Sequence, residues 1–261
     1  MQNKNSISVV VPCFNSQSFI SRTLKSLECQ TLFPDEIIFV NDGSEDQTRK
    51  IIEDWIKDKK NFNIKLFNEI HNGPGSARNI GIKNSSNAWI AFLDSDDTWE
   101  KNKIEEIKNI LEKNLNANFI THYEYYVDES NSKSEISEKL KLYEKKNINI
   151  SSFLYMSNIF STSAVVCRKD FLESVKGFDN TLPNAQDYDL WLKLSKNIEL
   201  VIIKKILGTY FYRNENITSR PYYKRITSEL KIALRYRKNV SNKLFVLKLL
   251  KIIFSKRWFK F

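Results

Sequence analysis

Residues 87–99 read NAWIAFLDSDDTW and join an apolar run to a cluster of acids. The run over 88–93 carries no charge and contains Trp, Ile and Phe, a composition that predicts a strand buried on both faces. Asp94, Asp96 and Asp97 follow this run directly. Because open parallel sheets bind ligands at the carboxyl ends of their strands, we expect these acids at a ligand-binding edge.

The acidic cluster has two interpretations. Carboxylates this close together raise one another's pKa unless a cation lies among them. Oxygen ligands suit Mg²⁺ or Mn²⁺, and Mg²⁺ is usually held by one or two carboxylates together with substrate phosphates. The alternative is a solvated acidic turn before a helix that begins near Glu100, since Asp is also common in turns and at helix N-caps. The residues of this stretch leave both interpretations open.

The chain before residue 87 repeats the pattern of a buried strand followed by a helix. Apolar runs predict strands, and helical periodicity predicts the helices between them, with strands over 7–11, 36–40 and 64–67 and helices over 19–27, 48–57 and 76–82. Strands that alternate with helices at this spacing indicate βαβ units. We therefore predict an α/β fold with a doubly wound, mainly parallel sheet.

Each predicted strand is followed by an unusual polar segment, and in an open parallel sheet these segments converge on one crevice. Phe14 can stack on a nucleobase, Asp42 can accept a hydrogen bond from a ring N–H, and Arg78 can pair with a phosphate or a base edge. Gly73 and Gly75 allow the backbone to approach a ligand closely. Together with a metal on the acids, these groups predict a pocket for a nucleoside diphosphate.

Each of these residues also has a structural interpretation. Phe14 can belong to the core, residues 41–44 (NDGS) can form an ordinary turn, and Arg78 can lie on the surface of a helix. The convergence of four segments on one edge favours the pocket over three separate structural roles.

The same segments carry a family resemblance. SVVVPCFN, FVNDGSEDQT, NGPGSARNIGI and IAFLDSDDTW, in this order, resemble glycosyltransferase family 2, which comprises inverting enzymes of the GT-A fold. The resemblance is dense over 6–99 and sparser to about residue 213. It implies a nucleotide-sugar donor, usually a UDP-sugar, and Mn²⁺ or Mg²⁺ as cofactor.

The resemblance also implies roles for individual residues. The uridine would be held by Pro12, Phe14, Asn15 and Asp42, with Arg78 on the uracil side. The D-x-D motif of the family corresponds to Asp94–Ser95–Asp96, with Asp94 and Ser95 at the nucleotide and Asp96 as the metal ligand. A later Tyr-Arg segment is matched at 210–213, so Arg213 would contact the diphosphate. Asn214 and Glu215 stand where the family often has His.

Residues 100–219 change in character. A helix over 101–112, an aromatic strand over 119–127 and a strand over 161–167 are predicted. The polar segment 128–149 is predicted to be a mobile loop or short helix that serves the acceptor. The two histidines of the chain, His71 and His122, are interpreted as structural or surface residues.

Asp187 and Asp189 open a predicted helix whose apolar face is Leu190, Trp191 and Leu194. On residue pattern alone, the acids could equally cap the helix. The segment resembles the family motif in which an acidic pair precedes Leu-Trp-Leu, and this implies that Asp187 is the catalytic base. The first acid of the pair is Gln186 here.

The implied reaction is a direct displacement. Asp187 would remove a proton from an acceptor hydroxyl, which attacks the anomeric carbon and inverts its configuration. The metal at Asp96 would neutralise charge on the leaving UDP. The resemblance implies a hexosyl- or N-acetylhexosaminyltransferase that acts on a glycan or lipid-linked acceptor, in bacterial capsule, lipopolysaccharide or lipooligosaccharide synthesis. The competing functions are a sugar-nucleotide nucleotidyltransferase, whose Gly-rich basic phosphate loop is not found in PCFNSQSF, and a non-catalytic nucleotide-sugar binder.

The net charge of +10 is concentrated at the C-terminus. Residues 220–261 hold thirteen Lys or Arg against one acid, Glu229, whereas residues 1–219 hold 28 basic and 30 acidic residues. The tail mixes these charges with apolar residues, most clearly in KLFVLKLLKIIFSKRWFKF, and Trp258, Phe259 and Phe261 end it. This pattern predicts a basic amphipathic helix on an anionic membrane surface. The alternatives are a helix packed on the catalytic domain and a nucleic-acid-binding segment, and the near-neutral body disfavours the latter.

Length and composition predict a globular chain of 261 residues with 41% hydrophobic residues. We expect a GT-A domain over 1–219, with a nucleotide-sugar-binding half over 1–99 and an acceptor-side half over 100–219, followed by the tail over 220–261. Three distant cysteines indicate neither a disulfide framework nor a zinc cluster. The sequence shows no signal peptide and no apolar run of about 20 residues, so we expect a cytoplasmic protein, peripheral on the inner face of the plasma membrane.

Overall fold

The computed structural model describes residues 4–59, 62–128, 130, 132–135, 138–146, 148–213 and 222–258. In this part of the chain nine strands form one sheet, and helices pack on both of its faces. Four residues discussed above, Asn214, Glu215, Phe259 and Phe261, lie outside the described residues.

The strands follow the apolar runs of the sequence. They are β1 (Ile7–Cys13), β2 (Glu36–Asp42), β3 (Ile64–Glu69), β4 (Trp89–Phe92), β5 (Thr98–Trp99), β6 (Phe119–Val127), β7 (Lys133–Glu135), β8 (Val166–Arg168) and β9 (Leu200–Phe211).

The helices lie between these strands and at the C-terminus. They are α1 (Ile20–Glu28), α2 (Thr48–Lys57), α3 (Pro74–Asn84), α4 (Lys103–Lys113), α5 (Glu138–Lys146), α6 (Ile150–Met156), α7 (Lys169–Ser174), α8 (Gln186–Leu194), α9 (Tyr222–Arg235) and α10 (Asn242–Trp258).

The strand order is β3-β2-β1-β4-β8-β6-β9-β5, and β7 pairs with β6. The first four strands of this order are parallel. Strand β8 runs antiparallel to both β4 and β6, and β9 is parallel to β6 but antiparallel to β5. The predicted α/β fold with a mainly parallel sheet is confirmed, and the antiparallel pairs are confined to the junction and the second half.

Strand β1 shows why an uninterrupted apolar run was needed at the centre of the sheet. Val9 and Val11 face a core formed with α1, α2 and α4, whereas Val10 faces a second core on the other side. All three side chains are fully buried. Because successive residues of a strand point to opposite faces, a strand covered on both sides has no position for a polar side chain that lacks a partner.

The tail helices belong to the second core. Ile232 and Ala233 of α9 and Ile252 of α10 are buried in the same cluster as Trp191 of α8. This matches the alternative of a helix packed on the catalytic domain with its lysines in solvent, except that Lys248 is buried. In the described part of the chain, no helix combines the length and apolar character needed to cross a membrane.

Two predictions for the second half of the chain were incomplete. The predicted strand over 161–167 is shorter, because Thr162–Ala164 form a turn of 3-10 helix and only Val166–Arg168 pair in the sheet. The segment 128–149 contains the short strand β7 and the helix α5, which had been expected as a mobile loop or short helix.

Strand β9 was not predicted, since Lys204 and Lys205 interrupt its apolar pattern. The pairing of β6 with β9 shifts register between His122 and Glu124, which marks a bulge opposite these lysines. Both lysines are exposed, and they form ion pairs with Glu144 and Glu106, respectively. At a bulge, two successive side chains can both point toward solvent. A prediction that assumes strict alternation of apolar and polar residues does not detect such a strand.

Candidate active site

The predicted site residues converge at the carboxyl ends of the parallel strands. Strand β1 ends beside Phe14, β2 ends at Asp42, and β4 is followed by the acid turn, which comprises residues 94–97. Helix α3 begins beside these ends and carries Arg78. The expected common crevice is therefore present.

Asp42 organises the part of the site assigned to the nucleobase. Its carboxylate accepts hydrogen bonds from the backbone N–H of Asn72 (2.8 Å) and Gly73 (2.9 Å). Gly73 has φ +86°, a left-handed conformation that favours glycine and lets the loop turn into α3. His71 Nδ1 lies 2.8 Å from Asp42 Oδ2, and the imidazole stacks on Phe14 with ring centroids 4.0 Å apart. His71 therefore belongs to the site, a location that its surface interpretation did not anticipate.

Pro12, Asn15 and Ser95 hold the edge of the site together. Pro12 is buried within β1. Asn15 adopts φ +45°, and its side-chain oxygen accepts from the backbone N–H of Glu45 (2.9 Å), which ties the end of β1 to the turn after β2. Ser95 Oγ lies 2.8 Å from Ser16 Oγ. These contacts place the three residues at the crevice; their contacts with a nucleotide remain predictions.

Two arginines partner the acids of the D-x-D motif. Arg78 donates to the carboxylate of Asp94, and Arg213 donates to the carboxylate of Asp96. Arg22 of α1 adds hydrogen bonds to the backbone oxygen of Asp96 at 2.7 and 3.2 Å. Burial, and then the charge of Asp94, raise the pKa of Asp96. The turn is thus an anionic group surrounded by cations, and Arg213 reaches it from the far end of β9.

The third acid has a structural role. Asp97 is buried and accepts hydrogen bonds from Ser163 Oγ (2.6 Å) and from the backbone N–H of Phe211 (3.1 Å). Its burial raises its pKa well above the usual range. Ser163 Oγ also accepts from the backbone N–H of Asp94 (3.1 Å). Ser163 had no signal in the sequence, because its partners lie more than sixty residues away.

The acids suit a divalent metal only if a bound ligand supplies further oxygen atoms. Among the described residues, no three His, Cys, Asp or Glu side chains are arranged to hold a metal ion. Asp94 and Asp96 offer carboxylate oxygens next to one another, with 27% and 17% of their side chains exposed. Because Mg²⁺ and Mn²⁺ accept oxygen ligands and are often completed by substrate phosphates, this donor set fits such an ion.

Asp187 lies in the first turn of α8. Helix α8 begins at Gln186, and its N-cap position is Ala185, which has a φ of +57°. Asp187 is therefore not the N-cap. Asn158 Nδ2 donates to Asp187 Oδ2 (2.8 Å). Burial raises the pKa of Asp187, while its own helix, Arg78 and Asn158 favour the charged form. A half-buried carboxylate with a raised pKa, within electrostatic range of Arg78 and Asp94, has properties that suit a general base.

The neighbours of Asp187 on α8 are structural. The Gln186 amide donates to the carbonyl of Leu182 (2.7 Å), and its oxygen fills the space where a Cβ on Gly75 would lie, 2.6 Å away. The space beside Gly75, expected to admit a ligand, is thus used for contact between α3 and α8. Asp189 is fully buried and accepts from Arg235 (2.7 Å), the last residue of α9, and from Tyr236 (3.0 Å), which follows that helix.

Comparison with known proteins agrees with this geometry. The sequence profile described as "Glycosyl transferase family 2" matches residues 8–174. An uncharacterized glycosyltransferase of Rickettsia bellii is 33% identical over 205 residues, covering 77% of this chain and 29% of the relative. The chain therefore spans less than a third of that relative.

Solved structures show the same fold. Residues 1–349 of S. aureus TarS in complex with UDP-GlcNAc superpose with a TM-score of 0.71 at 22% identity, covering 96% of this chain and 73% of that TarS fragment. The mannosyltransferase PcManGT of Pyrobaculum calidifontis, in complex with GDP-Man and Mn²⁺, gives a TM-score of 0.70 at 14% identity and covers 99% of this chain and 72% of PcManGT. The fold is therefore GT-A. With the family profile across most of the parallel sheet and the acid turn, the chain belongs to glycosyl transferase family 2.

Proposed function

We propose that this chain transfers a sugar from a UDP-sugar to a hydroxyl group of a glycan or lipid-linked acceptor, with inversion at the anomeric carbon. The observation that carries the proposal is the convergence of Phe14, Asp42, Arg78, the acid turn and Asp187 on one crevice. Membership of glycosyl transferase family 2 supports the transferase reaction over nucleotidyl transfer or simple binding. Residues 1–99 would bind the donor and residues 100–219 would face the acceptor.

In this proposal the donor lies along the strand ends. Phe14 and Asp42 bind the base, Pro12, Asn15, Asp94 and Ser95 line the nucleoside, and Arg78 stands on the base side. Arg213 lies beside Asp96 and is therefore placed for the diphosphate. When bound, a Mn²⁺ or Mg²⁺ ion on Asp96 supplies positive charge that stabilises the departing diphosphate. TarS was solved in complex with UDP-GlcNAc, and PcManGT in complex with GDP-Man and Mn²⁺, so UDP is the first nucleotide to test and GDP the second.

The chemical step uses the Asp187 carboxylate. It accepts the proton of the acceptor hydroxyl while that oxygen attacks the anomeric carbon from the face opposite the diphosphate. The bond from the anomeric carbon to the diphosphate oxygen breaks, and the nucleoside diphosphate leaves with its electron pair. Arg78 favours the charged, proton-accepting form of Asp187.

We also propose that an anionic membrane is a partner of the tail. One face of α10 leaves five apolar side chains exposed, namely Val246, Leu247, Leu250, Ile253 and Phe254. Their spacing places them along a single stripe of the helix. The surrounding tail is strongly basic. An apolar stripe flanked by Lys and Arg suits the headgroup region of a membrane, where a lipid-linked acceptor and a peripheral enzyme meet.

The first experiment is a titration of UDP into the protein by calorimetry, with Mn²⁺ and then with excess chelator. We expect binding that depends on the metal, and its loss in Asp96→Ala, because Asp96 is the proposed metal ligand and its removal leaves Asp94 as the remaining acid of the pair. Asp54→Asn, which changes an exposed ion pair with Lys57, is the matched control. Absence of UDP and GDP binding in both conditions would refute the proposed donor site.

A further inference from the structure

The base side of the site contains one side chain that the donor proposal does not use. The His71 imidazole stacks on Phe14 with an angle of 22° between the rings. Its Nδ1 lies 2.8 Å from Asp42 Oδ2 and 3.1 Å from the Asp42 carbonyl oxygen. A flat ring therefore lies on Phe14 with a ring nitrogen directed at Asp42.

These are the two contacts that the donor proposal requires of a uracil ring: stacking on Phe14 and donation of a ring N–H to Asp42. The Asp42 carboxylate has little capacity to accept hydrogen bonds from the imidazole and from a uracil ring at the same time. Oδ1 accepts from Asn72, and Oδ2 accepts from Gly73 as well as facing His71. A base that approached Oδ2 above Phe14 would meet the imidazole.

The imidazole can leave this position at low cost. His71 has 52% of its side chain exposed, Phe14 is 43% exposed and the preceding Ile70 is 90% exposed. The contacts to be broken are one ring stack and the hydrogen bonding to Asp42, whose buried carboxylate keeps its two backbone donors, Asn72 and Gly73. Among the described residues, no contact between this loop and the buried core involves the imidazole ring.

We propose that His71 occupies the nucleobase position in the ligand-free protein and is displaced by the base of the donor, an inference that rests on the proposed function. His71 then acts as a specificity-determining gate: a base must replace both the stack on Phe14 and the hydrogen bond to Asp42 to bind. A ring that makes only one of these contacts does not compensate for the displaced imidazole.

The test compares UDP binding to the unmodified protein and to His71→Ala in the presence of Mn²⁺. While His71 fills the site, the apparent affinity for UDP is the intrinsic affinity multiplied by the fraction of molecules in which the site is open. If that fraction is about one fifth, His71→Ala should bind UDP roughly five-fold tighter. Inorganic pyrophosphate, which has no base, should bind both proteins equally. Ile70→Ala changes the exposed neighbour and should leave both affinities unchanged.

A spectroscopic measurement follows the ring itself. The chain has two histidines, and His122 is buried away from solvent, so His71→Gln assigns the imidazole proton signals unambiguously. In the free protein the signals of His71 should be shifted by the ring of Phe14, and saturating UDP should remove that shift. The signals of His122 should stay in place.

Two results would overturn the inference. Weaker or unchanged UDP binding by His71→Ala would show that the imidazole contacts the bound base or takes no part. Unchanged His71 signals at UDP saturation would place the base elsewhere. If UDP binds and either of these results is found, only the gate is contradicted. If neither protein binds any nucleotide, the proposed donor site and the gate are contradicted together.

Discussion

Asp187, the proposed general base, is subject to three influences that act on its pKa. Burial disfavours its charge, while the first turn of α8 and the Asn158 amide favour it. Asp187→Asn keeps the shape of the side chain but removes the proton acceptor. We expect transfer to fall by about 10²- to 10⁴-fold, with UDP binding retained, as measured by initial rates and calorimetry. Turnover at the unmodified rate would exclude Asp187 as the base.

The pH dependence of the rate offers a second residue-level prediction. The active form of Asp187 is the carboxylate, and burial raises its pKa above the ordinary value of 3.8, so kcat should fall as the pH drops through a value above 3.8. Asn158→Leu removes a donor to the charged form and should move this acid limb to higher pH.

Asn118→Leu is the matched control for that experiment. Asn118 donates to the carbonyl of Asn197 far from the crevice, so its pH profile should coincide with that of the unmodified protein. Coincident profiles for Asn158→Leu and the unmodified protein would show that Asn158 does not tune the base.

At the scale of elements, an ion pair between the buried Asp189 and the partly exposed Arg235 joins α8 to α9. The Asp189 side chain is fully buried, Arg235 Nη1 lies 2.7 Å from its Oδ1, and the same guanidinium lies 2.8 Å from Asp179. The helix that carries Asp187 is therefore held from behind by the tail.

Arg235→Ala should destabilise the fold, since it leaves Asp189 buried with fewer partners. Because the Arg235 side chain is 37% exposed and Asp189 keeps other partners, we expect a loss of about 1–3 kcal/mol, which urea unfolding can measure. Lys231→Ala, at an exposed position of the same helix, should stay within about 0.5 kcal/mol of the unmodified protein. Equal unfolding midpoints for the two variants would mean that Tyr236 and Lys193 suffice to hold Asp189.

At the scale of the whole molecule, the tail lies between the rest of the domain and the proposed membrane contact. Helices α9 and α10 pack inward through Ile232 and Ile252, while the stripe of α10 faces outward. The crevice is built on strand ends of the sheet, and the tail packs on α6 and α8. A membrane bound through α10 would therefore hold the catalytic crevice in a defined orientation to the lipid surface.

The membrane contact predicts binding to vesicles that contain anionic lipid, weakening as salt is raised, and no binding to duplex DNA. Ile253→Glu places a charge in the exposed stripe and should reduce vesicle binding in sedimentation. Leu115→Glu, at a position 85% exposed after α4, is the control and should bind as the unmodified protein does. Salt-independent binding, or self-association relieved by Ile253→Glu, would assign the stripe to another partner.

Local sequence pattern was sufficient wherever neighbouring residues determine the structure. The bounds of α2 and β6 agree with the predicted spans, and the four parallel strands were found because each is a short apolar run. The polar segments that follow those strands could be placed at one edge before any coordinates, because parallel strands share that edge. The sequence thus determined the parallel half of the sheet, the crevice and the position of the acid turn.

Tertiary structure decided what depends on partners distant in the chain. Asp97 and Asp189 look like their acidic neighbours in sequence, yet burial against Ser163 and Arg235 makes them structural. His71 resembles a surface residue until Phe14 and Asp42 are brought beside it. The charge of a side chain is a local property, but its solvation and its hydrogen-bond partners exist only when remote segments pack together. The physical role of each polar residue was therefore set by the folded chain.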